Sequence, residues 1–157
     1  MREEQMQQAA RVARHLDDVR RAVAEVVQTV DDVQLNRRPE GVSNTPGILV
    51  RHAVGSERYW IHQVVGGHDV RRDRQAEFDP SVPVRRDDLL RQLEEVARTT
   101  HEVLDGLLDE RLADPVEGQA GGRTLQMEKG DAVLRALAHW AYHHGQLQLM
   151  RRLLGIP

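Results

Sequence analysis

Four segments of the sequence carry apolar residues at intervals of three and four positions, with charged residues between them, and this spacing restricts the fold more than any other feature. Such spacing gives an α-helix one apolar side, so each segment predicts an amphipathic helix that packs against its neighbours. No stretch shows convincing alternation of apolar and polar residues, which is the pattern of a half-buried strand. The sequence therefore predicts an all-α fold, a four-helix bundle.

Capping and breaking residues give the approximate ends of the predicted helices. Thr45 and Pro46 suit an N-cap and a first helical position, and the glycine pair at 66–67 suits a helix end. The four predicted helices run from Arg2 to Val33, between Pro46 and Gly66, from Arg85 to a point before Pro115, and from about Lys129 to about Leu154.

Two long connections separate the last three predicted helices. The first, His68 to Val84, is rich in charges and is long enough to cross the bundle, which would let helices 2 and 3 run parallel. The second contains three glycines between residues 118 and 122. It is interpreted as an exposed loop, with a hairpin through Arg123 to Gln126 as the alternative.

Length and cysteine content restrict the architecture and the chemistry. The 157 residues suit a single domain, 1–157, with an ordinary hydrophobic core. The sequence contains no cysteine, which excludes disulfides, thiolate metal ligands and a cysteine nucleophile. Any thiol chemistry would therefore need an external thiol.

Charge and hydropathy argue against large anionic partners and against a membrane. The net charge of −3 gives no general electrostatic reason to bind nucleic acid or an anionic membrane. A basic run is interleaved with acidic residues and is interpreted as a solvated loop; it contains Arg71, Arg72, Arg74, Arg85 and Arg86. The amino terminus lacks the apolar core of a signal peptide, and no segment approaches the roughly 20 apolar residues of a membrane span. A soluble cytoplasmic protein is expected.

Two histidines lie four positions apart in the fourth predicted helix. At about 100° per residue, His139 and His143 share a helix face with apolar residues such as Ala136 and Leu147. Imidazoles buried side by side need hydrogen bonds or a metal, because unsatisfied buried polar groups are costly. A divalent cation is one interpretation, and hydrogen-bonded core histidines are the other. A metal site would need at least one more ligand from another inward-facing helix.

The second predicted helix contains a third inward histidine, His52. The inward stripe of this helix is predicted to be Ile48, Leu49, His52, Ser56, Tyr59 and Gln63. A single inward histidine usually has a hydrogen-bond partner in the core, but three on two helices of a small bundle are hard to neutralise without a metal. The sequence therefore predicts a metal site formed by His52, His139 and His143.

Aromatic residues lie close to the predicted ligands in sequence. Tyr59 shares a helix face with His52 and is the candidate for a substrate pocket, with its hydroxyl as a polar contact. Core filling is the favoured interpretation of Trp60 and Trp140.

Three further residues near the histidines have weaker assignments. Gln146 shares the histidine face of helix 4 and is predicted to orient a ligand or a bound water from behind the metal ligands. His144 points about 100° away from His143 and is interpreted as a surface or interface residue. Glu57 is interpreted as an exposed helix carboxylate.

Two stretches resemble the DinB-like, or YfiT-like, family of metalloenzymes. They are VQLNRRPEGVSNTPGILVRHAVGSERYWIHQVVGG, from Val33 to Gly67, and HWAYHHGQL, from His139 to Leu147. The first resembles the family's entry into helix 2 with its single ligand histidine, and the second resembles its HxxxH-x-GQ signature. Two departures are visible, because His144 stands where an arginine is common and Val42 stands where a tryptophan often precedes helix 2.

The resemblance implies more than the residue pattern alone. It implies a four-helix bundle in up-down-down-up order, frequent homodimers, and a metal triad that falls on His52, His139 and His143. Members of the family include thiol S-transferases that use low-molecular-weight thiols, so an external thiol and a small-molecule substrate are implied as well.

The chemistry of a three-histidine site leaves several functions open. Three neutral imidazoles leave a divalent metal with open positions, as in catalytic sites, and such a metal would lower the pKa of a bound thiol or water. The alternatives are a thiol transferase, a hydrolase that activates water, and a non-enzymatic dimeric metal-binding or stress-associated module. Zinc or nickel is favoured as the metal, with iron or manganese as alternatives, because histidine sites accept several metals.

Overall fold

The computed structural model describes residues 7–157, and these are mostly helical. The helices are α1 Gln8–Thr29, α2 Asp32–Leu35, α3 Pro46–Glu57, α4 Arg74–Glu77, α5 Arg86–Leu104 and α6 Lys129–Leu153, with a π-helix at Arg58–Val65 and a 3₁₀-helix at Asp109–Ala113. Two strands, β1 Pro115–Ala120 and β2 Arg123–Glu128, form an antiparallel hairpin. The predicted start of helix 1 at Arg2, with Met6, lies outside the described residues.

Helices α1, α3, α5 and α6 bury their apolar sides against one another. Both α1 and α3 pack against α5 and α6. The core side chains include Leu16, Leu89 and Leu147, each at most 2% exposed. Because the buried side of α1 contains valines, which are weak helix formers, packing does more than helix propensity to stabilise it. The predicted mostly helical fold is confirmed, while the up-down-down-up order stays a prediction.

The all-α prediction is wrong at the connection before α6, where β1 and β2 form a two-stranded sheet. The strands are joined at Gly121 and Gly122, whose φ angles of 57° and 74° suit a tight hairpin turn. Gly118 lies directly against Trp60, since a Cβ atom at Gly118 would lie 2.4 Å from the indole ring. Most hairpin side chains are exposed or half-buried, so their sequence lacks the regular apolar alternation that identifies a strand.

The second predicted helix changes its winding after Glu57. Residues 58–65 form a π-helix, in which backbone N–H groups bond to carbonyls five residues earlier. The wider turn rotates the later side chains relative to a regular α-helix. Trp60 and Ile61 are therefore buried, while Tyr59 and Gln63, which were predicted to face inward, are only half-buried.

Glu57 lies in the centre of the bundle, so its interpretation as an exposed carboxylate is wrong. Its exposed fraction is 1%. It accepts hydrogen bonds from Arg20 of α1, Thr100 of α5 and the indole Nε1 of Trp140 in α6, the last at 2.6 Å. A buried carboxylate requires such partners because burying an unpaired charge is very costly. One side chain at the end of α3 thereby contacts the other three long helices.

The connections contain two short helices that were not predicted. The predicted end of helix 1 at Val33 is wrong, because α1 ends at Thr29 and α2 follows as a separate helix. α2 begins with a capping box formed by Asp31 and Gln34. The N-cap of α4 is Asp73, whose carboxylate accepts a hydrogen bond from the backbone N of Ala76 at 3.0 Å. The third predicted helix ends at Leu104, well before Pro115. No helix in residues 7–157 is both long and apolar enough to cross a membrane.

Candidate metal centre

The three predicted ligand histidines meet between α3 and α6. Nε2 of His139 lies 3.1 Å from Nε2 of His52 and 3.0 Å from Nε2 of His143. One ring nitrogen of each residue lies within 4.8 Å of those of the other two. Three imidazole nitrogens bound tetrahedrally to zinc at about 2.1 Å would lie about 3.4 Å apart, which is close to the observed separations. The donor set therefore fits a divalent cation.

Hydrogen bonds behind two of the rings determine which nitrogen faces the centre. Nδ1 of His52 lies 2.8 Å from the Glu77 carboxylate, and Nδ1 of His143 lies 2.7 Å from Oε1 of Gln146. Both partners are acceptors, so each Nδ1 carries the proton and each Nε2 directs a lone pair toward the centre. The Gln146 amide is itself oriented, because its Nε2 donates to the Tyr142 hydroxyl at 3.1 Å. Partners of this kind orient metal-binding histidines.

Burial favours the neutral form of two of the rings. Burial, together with the neighbouring imidazoles and Arg72, lowers the pKa of His139 to about 3. Burial also lowers the pKa of His143, against the opposing effect of its hydrogen bond to Gln146. Neutral imidazole is the form that binds a metal, so protons compete weakly for these nitrogens.

Glu77, at the end of α4, holds His52 in place. Its carboxylate accepts hydrogen bonds from Nε and Nη2 of Arg72 at 2.6 and 2.8 Å. Burial alone raises the pKa of Glu77, but the hydrogen bonds from Arg72 and His52 lower it below its ordinary value, so the group is ionised at neutral pH. The Arg72 side chain is 14% exposed and paired, which corrects its interpretation as part of a solvated loop.

A cleft of about 300 Å³ opens beside the histidine cluster. His52 and His139 line it, together with Ser56 and Trp60. The hairpin contributes residues 119–122 to the same wall. Molecules in the cleft can therefore approach two of the three histidines.

Two solved structures have a similar fold. A conserved protein from Enterococcus faecalis matches with a TM-score of 0.73 and 16% sequence identity, over 95% of this chain and 98% of that chain. A DinB-like protein from Bacillus cereus matches with a TM-score of 0.68 and 18% identity, over 88% of this chain and 89% of that chain. At such low identities these likenesses concern the fold alone. No curated protein matches the sequence.

The sequence pattern of the DinB superfamily matches residues 15–147. The chain belongs to the DinB superfamily. The matched range includes His52, His139 and His143, and it covers both stretches on which the resemblance was based. The family prediction is thus confirmed, and the fold of this DinB-superfamily chain brings the three predicted histidines together.

Of the other residues considered near the site of this DinB-superfamily chain, one contacts the histidine cluster and two do not. Gln146 contacts His143, as described above. Tyr59 does not line the cleft; its hydroxyl accepts a hydrogen bond from the backbone N of Gln119 at 2.6 Å and so connects the hairpin to the bundle. His144 lies away from the cluster, with its Nε2 3.1 Å from the side-chain nitrogen of Gln148. The substrate role of Tyr59 stays a prediction.

Sequence reasoning missed the residues behind His52 because they come from the connection between α3 and α5, which contains only the short helix α4. No periodicity places Arg72 or Glu77, whose positions depend on the path of the connection. One signal was present in α3, where Gly55 follows His52 by three positions although glycine is unfavourable inside a helix. A Cβ atom at Gly55 would lie 2.0 Å from Oε1 of Glu77, so the glycine makes room for the carboxylate.

Replacing Gly55 by alanine is expected to weaken zinc binding about 10- to 100-fold, the usual effect of losing a partner that orients a ligand. The added methyl group displaces Glu77 and frees the His52 ring, while all three histidines remain. Affinity can be measured by competition with a chromogenic zinc chelator. Gly145→Ala is the matched control, because Gly145 also lies in a helix beside the site and its Cβ position has no neighbour within 4 Å. Equal affinities of the two variants would contradict the assigned role of Glu77.

Proposed function

We propose that this protein is a divalent-metal-dependent enzyme that transfers a small external thiol to an electrophilic substrate. The observation that carries the proposal is the convergence of His52, His139 and His143 beside an open cleft. Zinc or nickel is the proposed ion. Bound there, it would act as a Lewis acid and lower the pKa of a thiol or water at a remaining coordination position.

The protein's own contribution is to position ligands and reactants. His52 and His143 are held by Glu77 and Gln146, so the site needs little rearrangement to bind a metal. Ser56 and the Trp60 ring line the cleft in which reactants would be held.

The lining of the cleft favours thiol transfer over hydrolysis. Within the described residues it contains no carboxylate, lysine or tyrosine that could act as a separate acid or base. In thiol transfer, a bond forms between sulfur and the electrophilic carbon, the bond to the leaving group breaks, and the thiol proton passes to solvent. A good leaving group needs no acid, whereas hydrolysis of amides and most esters benefits from one.

The same lack of an acid or base favours the second candidate, a non-enzymatic metal-binding module. Turnover distinguishes the two. Metal-loaded, untagged protein is incubated with electrophiles in the presence and absence of small thiols, and His143→Ala serves as the inactive control. We expect product that requires both thiol and metal. Consumption of electrophile without thiol would instead indicate a hydrolase, and the absence of turnover and of thiol binding would contradict an enzymatic function.

A further inference from the structure

The cleft beside the histidine cluster is lined by three arginines, Arg72, Arg74 and Arg135. Within the part of the chain that the structure describes, its lining includes no acidic residue. The whole chain has a net charge of −3, so this local excess of positive charge does not follow from the composition. A cleft lined by charges of one sign concentrates the electrostatic potential and attracts ions of the opposite sign.

Two of these arginines have no carboxylate partner among residues 7–157. Arg72 is paired with Glu77, but Arg74 and Arg135 lie over aromatic rings instead. Cζ of Arg135 is 4.9 Å from the centre of the Trp60 ring, and Cζ of Arg74 is 5.0 Å from the centre of the Phe78 ring. A contact between a guanidinium carbon and a ring face uses none of the N–H donors, so these remain able to bind a ligand.

Arg135 is positioned more firmly than an ordinary surface arginine. The Trp60 ring beneath it is 4% exposed and is packed on the hairpin at Gly118. Arg135 also precedes His139 by four residues in α6, so the two side chains lie on one face of the helix. An anion bound by Arg135 would therefore lie next to the histidine cluster.

We propose that the cleft contains an anion subsite in which Arg135 and Arg74 bind a carboxylate or phosphate group carried by one of the two reactants. Planar guanidinium groups bind these anions through paired, charge-assisted hydrogen bonds. The identity of the carrier, thiol or electrophile, rests on the proposed function. The subsite itself requires neither metal nor turnover.

Direct binding to the metal-free protein tests the subsite. Sodium phosphate and sodium succinate are titrated by calorimetry at constant ionic strength. We expect saturable binding of at least one anion, weakened about 10- to 100-fold by Arg135→Gln, as for other hydrogen bonds to charged groups. Arg152→Gln, an exposed arginine of the same helix outside the cleft, removes the same charge and is expected to bind as wild type does. Absence of saturable binding, or an equal loss in Arg152→Gln, would overturn the subsite.

Matched reactants identify which one carries the anion. Iodoacetate is compared with iodoacetamide, and thioglycolate with 2-mercaptoacetamide, using metal-loaded enzyme. The carrier is the reactant whose charged form has the lower KM in wild type and loses this advantage in Arg135→Gln. Equal KM values within both pairs would overturn the assignment to a reactant. If the proposed function fails and no turnover is seen, the binding of phosphate and succinate still decides whether the subsite exists.

Discussion

Replacing His143 by alanine is expected to remove tightly bound metal from the protein. The variant keeps only two of the three converging imidazoles, and losing a ligand should cost more than the roughly 10- to 100-fold lost with an orienting partner. Elemental mass spectrometry of untagged protein should find near-stoichiometric metal in wild type and almost none in the variant. The wild type should also gain about 4 kcal/mol of unfolding free energy at a free zinc concentration about 1,000 times the Kd, and the variant should gain little.

The adjacent histidine supplies the control for this experiment. His144→Ala removes an imidazole one position along the same helix, but His144 lies beside Gln148 and is not part of the converging group. Its metal content should equal that of wild type. Equal metal loss in both variants would show that the effect is not specific to the cluster. If the wild-type protein cannot be loaded with zinc or nickel, the three histidines are core residues and not metal ligands.

Removing the buried charge of Glu57 is expected to lower the free energy of unfolding by about 2–3 kcal/mol. In Glu57→Gln the side chain keeps its shape, but Arg20, itself 3% exposed, loses its buried carboxylate partner and keeps only Asp17, whose side chain is 31% exposed. The hydrogen bonds from Trp140 and Thr100 also lose the contribution of an ionised acceptor. Urea unfolding of metal-free protein measures the change without a contribution from the histidine cluster.

A surface ion pair shows what the same substitution costs in the absence of burial. Glu95 pairs with Arg58 at 3.5 Å, and its side chain is 55% exposed. Glu95→Gln should therefore cost no more than about 1 kcal/mol. The double variant Arg20→Met/Glu57→Gln should lose less than the sum of the two single losses, since it removes both members of the buried pair and leaves only Asp17, which is partly exposed and also contacts His101. Similar small losses for Glu57→Gln and Glu95→Gln would contradict the view that the buried pair holds the helices together.

The histidine cluster can be predicted from the sequence because its three residues lie on regular α-helix. His52 lies in the α-helical part of its segment, and His139 and His143 lie within one uninterrupted helix, so counting about 3.6 residues per turn finds their common side. Tyr59 lies beyond the change to π winding, where the same counting no longer applies. The structure accordingly leaves Tyr59 outside the cleft lining.

Other features could not be predicted from periodicity. Glu57 was assigned to the surface because a charged residue is normally solvated, and its burial depends on donors from three helices that are distant in sequence. Glu77 and Arg72 come from an irregular connection whose course no repeating pattern describes. The sequence indicates the hairpin only as an alternative to a loop, because a small exposed sheet lacks the regular apolar alternation of a strand that packs on a core.

Some residues of the hairpin line the cleft and others hold the hairpin on the bundle, so substitutions at the two sets are expected to have different effects. Residues 119–122, at the end of β1 and in the turn, line the cleft. The hairpin contacts the bundle through Gly118 against Trp60, through the Gln119 backbone against Tyr59, and through half-buried side chains such as Val116, Ala120 and Leu125 that pack on the core. The contact at Gln119 uses only the main chain, so the exposed side chain at this position can change without disturbing the core or the histidines. Related proteins could thus differ in the shape and polarity of the cleft entrance while keeping the histidine cluster beneath it. A library randomised at position 119 is a direct route to new ligand preferences of the cleft.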